Sequence, residues 1–332
     1  MNGSRSLVVV SASLGSKERG AFEAAVDGAA EVAYLEDAKG EDRVDLITSA
    51  SVVASWIPQR EFGPTELKAL AEVELIQMVS AGVDHVPFAA IPDGPVIASN
   101  AGAYAEPMAE HALAMILALA KRLLIEHRAL ARGEFRQRNL NRRLAGGKAA
   151  IVGYGGTGQA TARLLRAIGM TILAVNTSGK TGDSVEFAGK LEDLHTVLSG
   201  ADVVLLSLPL TVRTGGLIGA PELGWMKEDA ILVNVARGEL VDQKALYEHL
   251  AAHPSFQAGI ESWWIEPLRH GEFRVDYPFL DLENFLGCPH NSAMVEGALA
   301  DGARIAGENV ARFLAGEKPH GLVRRADYLT AS

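Results

Sequence analysis

Three glycines carry the most legible chemistry in this chain. Gly153, Gly155 and Gly158 stand at the spacing G-x-G-x-x-G directly after the apolar run Ala149-Ala150-Ile151-Val152. Beyond them Ala160, Ala162, Leu164, Leu165 and Ile168 recur at helical spacing, Gly169 ends the pattern, and Thr171-Ile172-Leu173-Ala174-Val175 reads as a second strand. Strand, tight turn, helix and strand form the setting in which such glycines bind a dinucleotide. Gly153 permits the sharp turn, Gly155 has no Cβ to keep a pyrophosphate from the backbone, and Gly158 lets helix and strand pack closely. Gly156 and Thr157 complete a helix N-terminus whose free N–H groups and positive dipole end suit an anion. A glycine-rich turn in some other α/β protein is the plainer alternative; the flanking strand and helix favour nucleotide binding.

The end of the second strand bears on which dinucleotide. A carboxylate there accepts from the ribose 2′-OH and repels a 2′-phosphate. Asn176 stands in its place, followed by Thr177, Ser178, Gly179 and Lys180. Asparagine removes the repulsion, and two hydroxyls with an ammonium can bind the phosphate. The expected cofactor is NADP(H). NAD(H) stays open as the alternative if Thr177 to Lys180 is simply a polar turn.

These groups need a scaffold. The length of 332 residues suggests two domains, and 48% hydrophobic with 22% charged residues is ordinary for a soluble globular chain. A net charge of −10 argues against a nucleic-acid surface. The one basic stretch, with Arg128, Arg132, Arg136, Arg138, Arg142 and Arg143, has no aromatic interleaving beyond Phe135 and reads as a solvated or subunit-facing arm. Cys288 is the only cysteine, which excludes an intrachain disulfide and a cysteine zinc site and fits a reducing compartment. No metal site is expected. Met1 to Leu7 runs into a strand pattern without a signal-peptide h-region, and the longest apolar stretch, Ala112 to Ala120, is far short of a membrane span. The expected location is cytoplasmic, with no membrane partner.

Strands and helices alternate along the chain. Strands are expected at Leu7–Val10, Glu31–Leu35, Val52–Trp56, Leu75–Val79, Pro95–Ala98, Asp202–Ser207, Ala230–Val235 and Gln257–Ile260; helices at Phe22–Ala30, Val44–Ala50, Glu66–Ala71, Glu106–Leu130, Leu191–Leu198, Gln243–His253 and Ala298–Leu314. The helix Glu106–Leu130, apolar on more than one face, is expected to be deeply buried. Such alternation means parallel sheets covered on both faces, an α/β chain of two Rossmann-like, doubly wound domains. Three strand ends then deliver Arg237, the Trp263 to Glu266 loop and His290 to the carboxyl edge, where ligands of such sheets bind. Two further turns, Ser80-Ala81-Gly82 and Asn100-Ala101-Gly102, follow strands with small residues; either can bind an anion through its N–H groups or be a plain turn.

Taken in order, Ser80-Ala81-Gly82-Val83-Asp84, Met108-Ala109-Glu110-His111, the glycine turn, Ser207-Leu208-Pro209-Leu210-Thr211, Asn234-Val235-Ala236-Arg237-Gly238, Ile265-Glu266-Pro267 and Cys288-Pro289-His290 make the chain resemble the D-isomer-specific 2-hydroxyacid dehydrogenases over nearly its whole length. The resemblance implies a catalytic trio of Arg237, Glu266 and His290, 29 and 24 residues apart. The types suit the reaction. A guanidinium fork can hold the carboxylate of a 2-keto acid and polarise its ketone. A protonated imidazole can give its proton to the oxygen as hydride reaches carbon, and a carboxylate behind it favours its charged form.

The resemblance further implies cofactor contacts from Pro209, Val235 and Ala236, and a carboxylate cradle from the Ser80, Ala81 and Gly82 turn. It implies a substrate domain of residues 1–98 and 295–332, a cofactor domain of 99–294, a cleft that closes over substrate, and a homodimer through the Glu106 helix and the arginine arm. Trp56, Tyr104, Trp263 and Met294 are expected as pocket walls, with core packing the alternative for the tryptophans. Departures from the family pattern include Glu261-Ser262-Trp263 for the usual Asp-Val-Phe, Thr157 for Ile or Leu, and Ser207 for His. Two other functions remain open: a nucleotide-sensing, corepressor-like binding protein on the same fold, and a formate dehydrogenase relative. Glu266 argues against the second, since that group pairs its histidine with Gln.

Overall fold

The structure, a computed structural model, describes residues 6–329, so the reading of Met1 to Arg5 as no leader lies outside it. The chain divides into two compact units, Met1–Tyr104 with Met294–Ser332, and Ala105–Ala293. Each is a parallel sheet covered by helices.

In the first unit β1 (Ser6–Val10), β2 (Ala30–Tyr34), β3 (Val52–Ser55), β4 (Leu75–Met78) and β5 (Val96–Ala98) form a sheet in the order β2-β1-β3-β4-β5. All neighbours are parallel. A parallel sheet buries both faces, so its strands read as continuous apolar runs rather than alternating ones. Val8 and Val10 accordingly join Phe22, Val26 and Val310 in one core, while Val9, Val53 and Ile76 join Leu70 in another. Gly307, on the helix Ala298–Leu314, lets that helix approach Ser16–Val26; a Cβ there would stand 2.8 Å from that of Ala25. The first helix runs Ser16–Val26 rather than Phe22–Ala30, because Gly28 turns left-handed at φ 79° and Ala30 already belongs to β2.

The second unit holds seven parallel strands: β6 (Lys148–Val152), β7 (Thr171–Val175), β8 (Phe187–Gly189), β9 (Val203–Leu206), β10 (Ile231–Asn234), β11 (Gln257–Ile260) and β12 (Phe285–Gly287). Their order is β12-β11-β10-β9-β6-β7-β8. The chain moves outward from β6 through β7 to β8, then crosses to β9 on the other side of β6. That reversal opens a crevice at the carboxyl ends of β6 and β9; the first sheet has the equivalent reversal between β1 and β3. The expected helix Glu106–Leu130 is two helices, Ala105–Ala120 and Leu123–Ala131, broken at Arg122 with φ 53°. It is also not buried all round: Ala109, Ala112, Met115, Ile116 and Leu119 form the buried stripe, while Leu113 and Leu117 are partly exposed and Ala114 is open. In the arginine arm Arg132 and Arg136 pair with Glu134, and Arg142 reaches the Asp202 carboxylate at 2.9 Å. Among the described residues no helix is long and apolar enough to cross a membrane.

Candidate active site

The glycine turn sits at the β6–β9 reversal. Gly153 has φ 102°, and a Cβ on it would lie 2.5 Å from the Leu208 nitrogen, so the turn fits against the end of β9 only without a side chain. Ser207 Oγ ties the two ends together by donating to the Gly153 carbonyl at 2.8 Å. A Cβ on Gly158 would run into the Gly153 carbonyl oxygen, whereas one on Gly155 would meet nothing within 4 Å. The open space is therefore at the residue whose backbone a pyrophosphate must approach. Gly156, Thr157 and Gly158 open the helix Gly156–Ala167, and first-turn amides have no acceptor within their own helix. Thr157 gives its hydroxyl to the Met108 sulfur at 3.9 Å.

Asn176 shapes the next turn. Its Oδ1 accepts from the amides of Ser178 at 3.0 Å and Gly179 at 2.7 Å, and its Nδ2 donates to the Lys180 carbonyl at 2.8 Å. The side chain is thus occupied in fixing a loop that exposes Thr177, Ser178 and Lys180. Lys190, at the end of the unanticipated strand β8, packs beside it; a Cβ on Gly179 would lie 3.1 Å from Lys190 Cγ. Nothing in the sequence pattern marked that lysine, because β8 is only three residues long.

The trio gathers at the carboxyl ends of β10, β11 and β12. Asn234, fully buried, ends β10 by accepting from the Ala236 amide at 3.0 Å and donating to the Arg237 carbonyl at 2.7 Å, which fixes the turn carrying Val235, Ala236 and Arg237. Gly238 then lies against the next loop, where a Cβ would come within 2.5 Å of the Trp264 nitrogen. Glu266, 5% exposed, accepts from the Trp263 amide at 2.6 Å and from His290 Nδ1 at 2.8 Å. Burial pushes the Glu266 carboxyl upward, but the hydrogen bond and charge of His290, the Trp263 amide and the nearby Arg237 guanidinium outweigh it and hold the group below the ordinary carboxylate value. Since a carboxylate only accepts, Nδ1 of His290 carries the proton in this bond, while Nε2, the other ring nitrogen, stands 4.0 Å from Glu261 Oε2. Pro209 is exposed after β9, its carbonyl accepting from Thr214 Oγ1 at 2.8 Å.

The substrate-wall candidates separate. Trp263 belongs to the core of the second unit: it is 5% exposed, donates Nε1 to the Cys288 carbonyl at 2.7 Å and packs edge-on to Phe285. Tyr104 is a core residue of the first unit rather than a wall. It is 7% exposed, gives its hydroxyl to the Val79 carbonyl at 3.1 Å, and burial pushes its phenol up to about 12. Gly302 makes room for its ring, and Asn100 holds the same junction by donating to the carbonyls of Val79 and Gly302. Trp56 is partly exposed in the first unit, Met294 is 63% exposed there, and Ser80 spends its hydroxyl on the Gly82 carbonyl at 2.9 Å. Two glutamates also lie outside the motifs: no motif contains Glu61, and Glu261 stands where the family pattern has Asp.

The description "D-isomer specific 2-hydroxyacid dehydrogenase, NAD binding domain" matches residues 113–292. The glyoxylate reductase of Thermococcus kodakarensis is 30% identical over 325 residues, covering 88% of this chain and 96% of that protein. The D-3-phosphoglycerate dehydrogenase of Archaeoglobus fulgidus is 30% identical over 75% of this chain, which spans only 47% of that longer protein. Among solved structures, the D-isomer specific 2-hydroxyacid dehydrogenase of Xanthobacter autotrophicus Py2, in complex with NADPH and MES, superposes with a TM-score of 0.78 at 25% identity, covering 97% of this chain and 99% of that one. The chain belongs to the D-isomer-specific 2-hydroxyacid dehydrogenase family.

Proposed function

We propose that this protein reduces a small 2-keto acid to the D-2-hydroxy acid with NADPH, and runs the reverse oxidation when product is in excess. The observation that carries the reading is the His290–Glu266 pair at 2.8 Å with Arg237 close enough to act on the same carboxylate. The cofactor fits the second unit: the space at Gly155 accepts a pyrophosphate, and the Asn176 turn presents Thr177, Ser178 and Lys180 without a carboxylate. When bound, it supplies the hydride that adds to C2. Arg237 binds the substrate carboxylate and draws electron density from the ketone. His290 delivers the proton on Nε2 to the carbonyl oxygen, and Glu266 holds the ring and stabilises its charged form. In oxidation the same nitrogen removes the proton from the hydroxyl.

Glyoxylate, hydroxypyruvate and pyruvate are the first substrates to try, each against NADPH and NADH, following absorbance loss of the reduced nicotinamide. Turnover with at least one keto acid, faster with NADPH, is the expected result. Nicotinamide binding without turnover on any keto acid would assign the chain to nucleotide sensing instead. The homodimer reading draws on Leu123, Leu130, Phe135 and Leu140, exposed by 58%, 56%, 78% and 91% along one segment of a single chain.

A further inference from the structure

We propose that Trp264 and Arg269 are positioning residues for the reaction: from either side of Glu266 they reach across to the residues that follow Arg237 and hold the two loops at one separation. The proposal rests on the reading of Arg237 as carboxylate binder and His290 as proton donor.

Backbone pairing alone does not set that separation. The ladder between β10 and β11 ends where the Glu261 amide donates to the Asn234 carbonyl at 2.9 Å. Arg237 lies three residues beyond Asn234, and Glu266 five beyond Glu261. Each stands in extended backbone, at φ −141° and −127°, directly before a single helical turn, Gly238–Leu240 and Pro267–His270. Each turn carries one member of an ion pair: Arg269 Nη2 lies 2.8 Å from Glu239 Oε1. A second tie starts on the other side of Glu266. Trp264 donates Nε1 to the Val241 carbonyl at 2.7 Å, and its indole stacks at 13° on Phe279, a fully buried ring. His270 Nδ1 accepts from the Glu266 amide at 3.0 Å, which binds the Arg269 turn back to Glu266 itself.

The carboxylate carbon and the ketone carbon of a 2-keto acid are directly bonded. Arg237 and the His290–Glu266 pair must therefore address adjacent atoms, and a misplacement of about 1 Å costs up to about 10²-fold. The two side chains of the ion pair are partly exposed, at 22% and 29%, where such a pair adds little to global stability. Its contribution belongs to substrate binding rather than to resistance against unfolding.

The test compares Arg269→Gln, Arg269→Lys, Glu239→Gln and Trp264→Phe in the full chain. Keto-acid kinetics, NADPH binding by fluorescence, urea midpoints and hydrogen exchange are measured on each. In Arg269→Gln the KM for keto acid is expected to rise at least about fivefold with kcat within about threefold, because the guanidinium of Arg237 holds the substrate carboxylate in ground and transition state alike. Cofactor Kd and urea midpoint should stay near those of the parent chain. The amides of Leu240 and Val241, which donate to the Arg237 and Gly238 carbonyls at 3.3 and 3.0 Å, should exchange at least about tenfold faster. Arg269→Lys keeps the charge and should restore KM to within about twofold of the parent. Glu239→Gln cuts the same pair from its other end and should match Arg269→Gln. Trp264→Phe keeps a ring over Phe279 but loses the N–H, and should raise KM at least about threefold. An unchanged KM in Arg269→Gln would overturn the brace. So would a lysine variant as impaired as the glutamine one, or a Glu239→Gln that behaves as the parent. If the unaltered chain turns over no keto acid, the functional reading fails, while exchange at Leu240 and Val241 still decides the brace.

Discussion

The two units reverse their strand order in the same way and treat the resulting crevice in opposite ways. At the β6–β9 reversal the second unit leaves room: a Cβ on Gly155 would touch nothing within 4 Å. At the β1–β3 reversal the first unit fills the place with its own carboxylate. Glu61 accepts from Ser11 Oγ, Ser55 Oγ and the Ile57 amide, each at 2.6 Å, and from the Trp56 amide at 3.0 Å. The position that one sheet leaves open at Gly155 is, in the other, occupied by a carboxylate of the chain itself. The topology supplies the anion site twice. Local residues decide whether the chain keeps it open, and a self-supplied carboxylate converts a binding crevice into an anchor for the Trp56 turn.

The comparison can be broken or sharpened in several ways. The largest effect is expected from His290→Ala, which removes the proposed proton donor from the second unit without touching its crevice: kcat should fall by roughly 10²–10⁴ with cofactor affinity nearly unchanged, measured by steady-state kinetics beside fluorescence titration. Collapse of cofactor binding in that variant would mean the histidine has been assigned the wrong task. Gly155→Asp makes the second crevice resemble the first by installing a carboxylate against the pyrophosphate position. NADPH affinity should drop by about two orders of magnitude or more, since like charges so placed cost several kcal/mol; retained affinity would show that the pyrophosphate lies elsewhere.

Glu61→Ala does the converse and strands several donors. We expect a loss of about 2 kcal/mol in chemical denaturation with NADPH affinity intact. A neutral change in stability would remove the anchor role.

Acid should loosen the second unit through Glu266. Its folded carboxyl lies below the ordinary value of 4.5, so its contribution is fully present above that value and is lost as pH falls through the lower folded one. Urea midpoints between about pH 6 and pH 3 should therefore decline less steeply in Glu266→Gln than in the parent chain. Parallel declines would mean that the pair carries no linked stability. The smallest effect is expected from Lys180→Ala, an exposed ammonium: NADPH should bind about three- to tenfold more weakly while NADH is unaffected.

Much of this arrangement was legible from the residues. β6 and β7 follow from apolar runs that end in glycine or a polar turn, and the helix Ala298–Leu314 from its periodicity. Elsewhere local pattern misled. The break at Arg122 has no glycine or proline to announce it, and β8, at three residues, is too short for periodicity to register. Tyr104 was expected at a pocket wall, yet its burial depends on Gly302, far along the chain, leaving space for its ring.

The sequence by itself determined the parallel α/β architecture and, through its resemblance to the family, pointed to Arg237, Glu266 and His290 as the proposed reacting groups, because strand periodicity, the glycine spacing and the order of motifs are local or linear properties. Only the tertiary structure decided which carboxylates hold which loops. Glu61 meets Ser11 across 50 residues and Glu261 meets Ser292 across 31. A hydrogen bond is specified by distance and direction in space, and the fold, rather than any neighbour in the chain, brings those partners within reach.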